Sequence, residues 1–311
     1  MCKTILSIFD ESGQWSAPYV EAGHNVIQID IQHDPELHDI RKFGVEYLIE
    51  TLEIDTVDGI IGAPPCTDFT KSGAQYWKQK DANGSTADSV FMVEQFLCCV
   101  EYFKPDWYTF ENPPGRLPRL VRGIGTPFRF HPSDFAGYVE ASLSLDQRAL
   151  LEELSTRHSR GLPMTKAEIE LVKESNRYTK ETCLWGRFKD PVKDPRPPIR
   201  VCNQGSWLQK LGGKSAATKK ARSVTPLGFA TAFFNANCWE EKQVVSWAAE
   251  RAAEWIAYMD AREPATLTDL EVTSIFDPEE HPETTAADAL EAFRRLYPPG
   301  HEHRRGYACR A

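Results

Sequence analysis

A short apolar run in this chain ends at two consecutive prolines, and a cysteine follows them directly. Residues 58–61 favour a β-strand, and Pro64 and Pro65 come shortly after it. Each proline fixes φ and removes an amide donor, so the strand cannot continue and Cys66 is presented rigidly beyond its end. Loops at the carboxyl ends of parallel strands are where α/β proteins place their chemistry. Cys66 is therefore a candidate nucleophile, and the alternative is a cysteine that packs as a small apolar side chain.

A second strand pattern ends in a carboxylate. Residues 107–110 are β-prone, and Glu111, Asn112 and Pro113 follow them. Between the two patterns, Ser85–Phe103 has the length of a crossover helix, which is the connection that parallel neighbours need. We therefore expect the thiol and the carboxylate to lie side by side at one edge of a parallel sheet.

The beginning of the chain shows the same alternation. Residues 4–9 and 26–30 predict the first two strands, with a turn at 10–13 after the first. Asp30 closes the second strand, and an acid at that position of a doubly wound sheet is the usual partner of ribose hydroxyls. Residues 1–135 therefore predict the first part of an α/β sheet that is doubly wound and mostly parallel.

Several short motifs follow one another in a recognisable order. They are Ile8-Phe9-Asp10, Gly13, Glu21-Ala22-Gly23, Asp30, Pro64-Pro65-Cys66-Thr67-Asp68-Phe69, Glu111-Asn112-Pro113 and Thr179-Lys180-Glu181-Thr182-Cys183-Leu184-Trp185. In order and rough spacing these motifs resemble those of cytosine-C5 DNA methyltransferases. The residues around them resemble the compact, phage-type branch of that family. The resemblance covers residues 4–135 and 178–237 and implies a Rossmann-like, S-adenosylmethionine-dependent methyltransferase fold. The Pro-Cys and Glu-Asn elements are specific together, although either alone is weak.

The resemblance implies covalent chemistry on a cytosine flipped out of duplex DNA. Cys66 would add to C6 as a thiolate, which makes C5 nucleophilic. Glu111 would bind N3 and the exocyclic amine and protonate N3, which requires a raised pKa. Asn112 would hold the turn. Lys180 would take the place of the first arginine in the family's Arg-x-Arg element, from which this chain departs.

The methyl donor that the resemblance implies is S-adenosylmethionine. The implied contacts are Phe9 on the adenine, Gly13 by the methionine part, Asp30 on the ribose, Asp39 on the adenine amine, Pro64 beside the donor and Thr225 near its methionine end. The family's Gly-Asn-x-Val element has become Val-Thr-Pro-Leu at 224–227. This change leaves open a modified donor, carboxy-S-adenosylmethionine, with Lys71 or Lys180 supplying a cation.

The bulk properties are those of a protein in a reducing compartment. The chain has 311 residues, of which 41% are hydrophobic, and this is enough for one large α/β domain and a small one. Its eight cysteines form no CxxC pair and no zinc-like spacing with histidine, so we expect reduced thiols and no metal. No run is long and apolar enough to span a membrane, and no signal peptide opens the chain. We therefore expect a cytoplasmic protein of a bacterial or phage-infected cell.

The net charge of −9 conceals two basic segments without acids. Residues 195–239 contain seven Lys and Arg, and residues 113–133 contain four Arg. Because phosphates follow local positive charge, we expect double-stranded DNA to bind there, the alternative being a solvated basic face. Residues 67–84 predict a mobile loop that closes over the flipped base. The candidate DNA contacts are Gln75, Arg116, Arg119, Lys214, Lys219, Lys220 and Arg222.

Two other functions remain open at this point. An RNA cytosine would serve the same chemistry, because phosphate contacts do not identify the sugar. A non-catalytic DNA-binding protein on the same scaffold is the third reading, and the presence of both Cys66 and Glu111 argues against it. The pattern gives no indication of the target sequence or the oligomeric state.

The chain divides into six predicted segments. Two capping boxes, which begin at Ser144 and Thr165, predict a helical hairpin, and Gly161 is placed to close its first helix. Three roles stay open for this insertion: a contact with DNA, a contact with another partner, or a surface addition without a binding role. The segments are a catalytic and cofactor-binding core at 1–137, the helical insertion at 138–177, a return to the core at 178–194, a basic recognition region at 195–224, helices packing back on the core at 225–263 and an acidic appendage at 264–311.

Overall fold

The computed structural model describes residues 2–41, 49–50, 53–157, 163–202, 205–211 and 215–238, and only the backbone at 216, 217 and 219. Six strands form one sheet in the order β2-β1-β3-β4-β6-β5. The strands are β1 Thr4–Ile8, β2 Asn25–Ile29, β3 Gly59–Gly62, β4 Trp107–Asn112, β5 Phe128–Phe130 and β6 Thr182–Arg187. The predicted strands are confirmed to within one or two residues.

Most of the sheet is parallel. β1 pairs in parallel with β2 and with β3, and β3 pairs in parallel with β4. β6 runs antiparallel to both of its neighbours, β4 and β5. The register aligns Gly62, the last residue of β3, with Phe110. The strand ends that precede Cys66 and carry Glu111 are therefore neighbours, as the sequence predicts.

Helices connect and cover these strands. The α-helices of the described residues are α1 Ala17–Glu21, α2 Trp77–Ala82, α3 Ser85–Phe103, α4 Leu117–Leu120, α5 Gly137–Glu140, α6 Leu145–Arg157, α7 Lys166–Glu174, α8 Ala216–Ser223 and α9 Leu227–Cys238. α3 is the crossover between β3 and β4 and has the predicted bounds. Short 3-10 helices lie at Lys71–Tyr76, Pro132–Phe135 and Trp207–Lys210.

Both faces of the sheet are covered. Successive strand residues point to opposite faces, so Trp107 and Phe110 of β4 lie on different sides. Phe96 of α3 contacts Phe110, with ring centroids 5.4 Å apart. On the other face Phe233 of α9 contacts Trp107, with centroids 5.6 Å apart. The sheet is therefore doubly wound and Rossmann-like, and α9 returns to it as expected.

A second apolar core joins the helical hairpin to the basic region. Leu151 and Leu154 of α6 and Val172 of α7 pack in one cluster with Ile199 and Trp207, which belong to the basic segment. Both predicted capping boxes are present, at Ser144 and at Thr165, while Gly161 lies outside the described residues. The hairpin and the basic region therefore share one apolar core.

The segment after Cys66 differs from its prediction as a loop. It contains the 3-10 helix Lys71–Tyr76 and then α2. Its polar sequence and Gly73 carry little helical signal, so local propensity misses it. Tertiary bonds hold it instead: Lys80 Nζ donates to Thr67 O at 2.6 Å and pairs with Asp68 at 3.0 Å.

Candidate active site

The Cys66 turn begins where β3 stops. Ala63 N, one residue beyond β3, donates to Ile8 O at 3.1 Å and so continues the pairing of β3 with β1. Pro64 is buried and has no amide hydrogen to extend the ladder. The Cys66 carbonyl then accepts hydrogen bonds from Phe69 N at 3.0 Å and Thr70 N at 3.2 Å. The thiol therefore lies at the first position of a closed turn, just past the carboxyl edge of the sheet.

The turn after Glu111 is joined to the Cys66 turn by backbone contacts. Asn112 is buried, and its Nδ2 donates to Pro64 O at 2.9 Å. Arg116 N donates to Phe69 O at 2.9 Å, and Lys71 N donates to Pro114 O at 3.3 Å. The Asn112 side chain therefore joins the two turns.

Gly115 is required where the two turns cross. It forms an isolated antiparallel bridge with Thr70. A Cβ at this position would lie 1.9 Å from the Phe69 carbonyl oxygen, far inside van der Waals contact. No other residue permits this approach of the two backbones.

The carboxyl of Glu111 is buried beside the thiol. Its Oε1 atom is buried and accepts no hydrogen bond from any residue that the structure describes. Burial raises the pKa of Glu111, and the positive charge of Lys180 opposes this. A buried acceptor without a partner is costly unless a ligand or a proton satisfies it. The site therefore holds a carboxyl that is suited to remain protonated and to face a polar ligand.

The Cys66 thiol is partly buried, and the charges of Glu111 and Lys180 affect its pKa. Burial raises its pKa to about 11, the charge of Glu111 adds to the shift, and Lys180 opposes it. A protonated Glu111 would no longer raise the pKa of the thiol, while burial would still do so. The structure thus brings Cys66, Glu111 and Lys180 within electrostatic reach of one another, although they are distant in the sequence.

The turn after β1 is organised around Asp10, to which sequence reasoning gave no role. This buried carboxylate accepts bonds from Ser7 Oγ at 3.0 Å, Ser16 N at 3.2 Å and Ser16 Oγ at 3.0 Å. Phe9 has φ +62° and Gly13 has φ +65°, so both adopt the left-handed conformation. The serines spaced around Asp10 were the available sequence signal.

The two acids proposed for the cofactor have different surroundings. Asp30 follows β2, and burial raises its pKa. Its Oδ1 accepts a bond from Gln32 N at 2.9 Å, while Oδ2 receives none from the described residues. Asp39 is buried, and Arg41 binds both of its oxygens at 2.8 and 2.9 Å. Asp30 is open to a further partner, whereas Arg41 occupies Asp39.

The remaining cofactor candidate, Thr225, lies at the entry to α9. It is partly buried and directly precedes Pro226, whose carbonyl accepts the Ala230 amide at 3.0 Å. The adjoining helix packs on the start of the chain, because Phe229 and Trp15 have ring centroids 5.6 Å apart.

The predicted DNA contacts other than Arg116 fall into three groups. Gln75 and Arg119 are exposed, as a contact requires. Lys220 and Arg222 are also exposed and belong to α8, where Lys220 Nζ lies 2.7 Å from Glu11 Oε1 in the turn after β1. Lys214 lies outside the described residues, and only the backbone of Lys219 is described.

Arg116 was predicted to contact DNA, and this is wrong for its side chain. It is only 8% exposed, and its guanidinium binds Asp68 O, Thr86 Oγ1 and both oxygens of Asp81. A desolvated guanidinium with four protein partners has little left to offer a phosphate. The carboxylate of Asp68, which sequence reasoning also missed, accepts bonds from Ser85 and Ser89 and so fixes α3 to the same turn.

Neither a metal site nor a membrane span is found in the described part of the chain. Among the described residues, no His, Cys, Asp and Glu side chains gather in a group that could hold a metal ion. Within the same ranges, no helix combines the length and the apolar character that crossing a membrane requires.

Comparison with known proteins adds little at the level of sequence. No family model matches the chain, and no curated protein matches it. Among solved structures it is similar to one described as a DNA modification methyltransferase encoded within a prophage of E. coli, at 23% identity and a TM-score of 0.29. The match covers 43% of this chain and 42% of that one, so the chain spans less than half the length of this neighbour.

Proposed function

We propose that this protein is a DNA cytosine-C5 methyltransferase that uses S-adenosylmethionine. The observation that carries the proposal is the pair of joined turns at the carboxyl edge of the sheet. One turn carries the Cys66 thiol, and the other carries the buried carboxyl of Glu111, whose Oε1 accepts no hydrogen bond from the described residues. The hydrogen bond from Asn112 to Pro64 joins the two turns. Such a pair suits covalent attack on a ring that must also be protonated.

The chemistry begins with addition to the base. The Cys66 sulfur forms a bond to C6, and the ring's electron pair moves to C5 while N3 takes the proton of Glu111. After C5 has gained the methyl group, whose bond to the donor sulfur breaks in the transfer, a base removes the C5 proton, the C6–S bond breaks and N3 returns its proton to Glu111. This restores the aromatic ring, the thiolate and the carboxylic acid. Lys180 stabilises the thiolate, and the neutral form of Glu111 does not repel it.

The donor site is proposed at the ends of β1 and β2. Asp30 is placed to bind ribose hydroxyls, because its buried carboxyl has one oxygen that no described residue binds. Phe9 and Gly13 would line the donor from the turn after β1. When it is bound, S-adenosylmethionine supplies an electrophilic methyl group. Asp39, held by Arg41, needs the guanidinium to move if it is to bind the adenine amine.

DNA is proposed to contact α8 and the Arg119 side chain. Lys220, Arg222 and Arg119 are exposed on two segments that lack acids. The helices α6 and α7 instead carry three acidic and two basic residues each, so the hairpin is less suited to phosphates. It acts by supporting the basic region through their shared apolar core.

A covalent-trapping experiment tests the proposal. Duplex DNA with 5-fluorocytosine should form a stable adduct with the protein and S-adenosylmethionine, because fluorine at C5 cannot leave as a proton does. Cys66→Ser should form none, whereas Cys98→Ser, at an exposed thiol on α3, should form it normally. Absence of an adduct, or an adduct that survives Cys66→Ser, contradicts the proposal.

The product identifies the transferred group and the nucleic acid. Nucleosides from DNA and RNA of cells that express the protein should contain 5-methylcytosine in DNA, at a level that Cys66→Ser reduces to background. A carboxymethyl mass, or modification confined to RNA, would replace the proposed donor or substrate with the corresponding alternative.

A further inference from the structure

The Arg116 side chain connects three separate pieces of the candidate site. It follows the Glu111 turn and caps the first turn of α4, yet its side chain is directed away from α4 toward the Cys66 turn. Its Nε donates to Asp68 O at 2.9 Å, two residues after Cys66, while its own amide donates to Phe69 O. One residue thus binds the nucleophile turn through both its backbone and its side chain.

The far end of the guanidinium binds the helical segment that follows. Nη1 and Nη2 form a bidentate pair with Asp81 of α2, at 2.9 and 2.8 Å. Nη2 also donates to Thr86 Oγ1 at 2.8 Å, at the start of α3. The guanidinium carbon lies 4.7 Å from the ring centroid of Trp77, which is the first residue of α2.

The geometry of these contacts requires an arginine. The planar fork donates in three directions at once, and a lysine ammonium cannot reproduce a bidentate pair together with a bond from Nε. The charge is buried, so removal of one partner leaves the others imperfectly compensated. Lys80 ties α2 to Thr67 and Asp68 as well, but it does not reach the Glu111 turn.

We infer that Arg116 is a positioning residue that sets the Cys66 turn against the Glu111 turn and holds α2 over both. This inference rests on the proposed function for its kinetic consequence, though not for its structural one. A displacement of about 1 Å at a reacting group can cost on the order of 10²-fold in rate. Loss of the fork should therefore lower the rate of the chemical step and leave binding of DNA and donor nearly unchanged.

Arg116→Lys and Asp81→Asn test this inference, with Arg187→Lys as the control at an arginine outside both acid-free segments. Single-turnover methyl transfer should fall roughly 10- to 100-fold in each of the two variants, with dissociation constants for DNA and S-adenosylmethionine within about threefold of wild type. The double variant should be no slower than Arg116→Lys, because both changes break one interaction. Arg187, which is exposed, should tolerate its change.

A second measurement does not depend on methyl transfer. Alkylation of each cysteine, followed by peptide mass spectrometry, should show Cys66 reacting several-fold faster in both variants, while the exposed Cys98 reacts as before. If Cys66 is alkylated at the wild-type rate in both variants, the inference is overturned. An inactive wild-type protein with faster Cys66 alkylation in the variants would instead remove the proposed function and keep the positioning role. Asp81→Asn, whose side chain is half exposed, remains informative if Arg116→Lys fails to fold.

Discussion

The joined turns and the basic region are held in different ways. Between the turns, the hydrogen bonds cross long distances in the sequence, such as Asn112 to Pro64 and Arg116 to Phe69. In the basic region local caps stand beside an exposed long-range pair: Ser206 caps the 3-10 helix Trp207–Lys210, Ser215 accepts from Thr218 N, and Lys220 pairs with Glu11. The first region is fixed by buried contacts between two turns, whereas the second depends on caps, an exposed ion pair and an apolar core shared with the hairpin. Changes to the first should therefore have larger effects.

The largest contrast is expected between two glycines. Gly115→Ala places a Cβ 1.9 Å from Phe69 O, which cannot move without breaking its bond to Arg116 N. Gly205→Ala in the basic region meets no atom within 4 Å and is strained only by its φ of +115°. We expect the free energy of unfolding to fall by about 3 kcal/mol or more at Gly115 and by ~1–2 kcal/mol at Gly205, measured by urea titration. Equal losses would mean that the turns are not the more rigid region.

The next effect concerns the proton on Glu111. Glu111→Gln keeps the shape of the side chain but cannot protonate N3, so single-turnover transfer should fall about 10²-fold or more while DNA binding is kept. Near-normal rates would remove Glu111 from the mechanism.

The same variant has a second readout in stability. Because burial raises the pKa of Glu111 above its ordinary 4.5, the folded chain holds this proton more tightly than the unfolded chain. Its contribution to stability is complete below about pH 4.5 and is lost as the pH rises through the folded-state pKa. Glutamine carries no charge, so the variant should gain stability relative to wild type as the pH rises from that value. A pH-independent difference between the two unfolding curves would contradict this.

A smaller effect is expected at Asp30, at the end of β2. Asp30→Ala should weaken S-adenosylmethionine binding by ~1–3 kcal/mol, through lost hydrogen bonds to the ribose. Isothermal titration calorimetry measures this, with DNA affinity as the control that should not change. Unchanged donor affinity would mean that the ribose is bound elsewhere.

The smallest effect is expected in the basic region. Lys220→Ala should reduce the slope of log affinity for DNA against log salt by roughly 0.9, if Lys220 contacts one phosphate. Lys189→Ala, at an exposed lysine outside the region, should leave the slope as it is. Because the Lys220–Glu11 pair is largely exposed, its loss should change donor affinity by less than about 1 kcal/mol. A wild-type slope for Lys220→Ala would indicate a solvated surface at this position.

The parts of the site that follow from local pattern could be predicted. Pro64 and Pro65 must end a strand, so the position of Cys66 beyond β3 follows from the sequence, and the same holds for Glu111 at the end of β4. The alternation of strand and crossover helix also predicts that these two strands are parallel neighbours. The helix starts at Ser144 and Thr165 follow from side chains that bond three residues away.

Tertiary structure alone decided what the charged side chains bind. Arg116 looks like a phosphate contact in the sequence, yet its partner Asp81 is 35 positions away. Lys220 pairs with Glu11 across 209 positions, which brings the basic region to the turn after β1. Helix propensity and capping act over a few residues, so they can be predicted from the local sequence. The partner of a long charged side chain depends instead on which elements pack together after folding. The sequence therefore determines where the strands end and which groups stand there, and the packing of α2, α3 and α8 determines which of those groups remain open to a substrate.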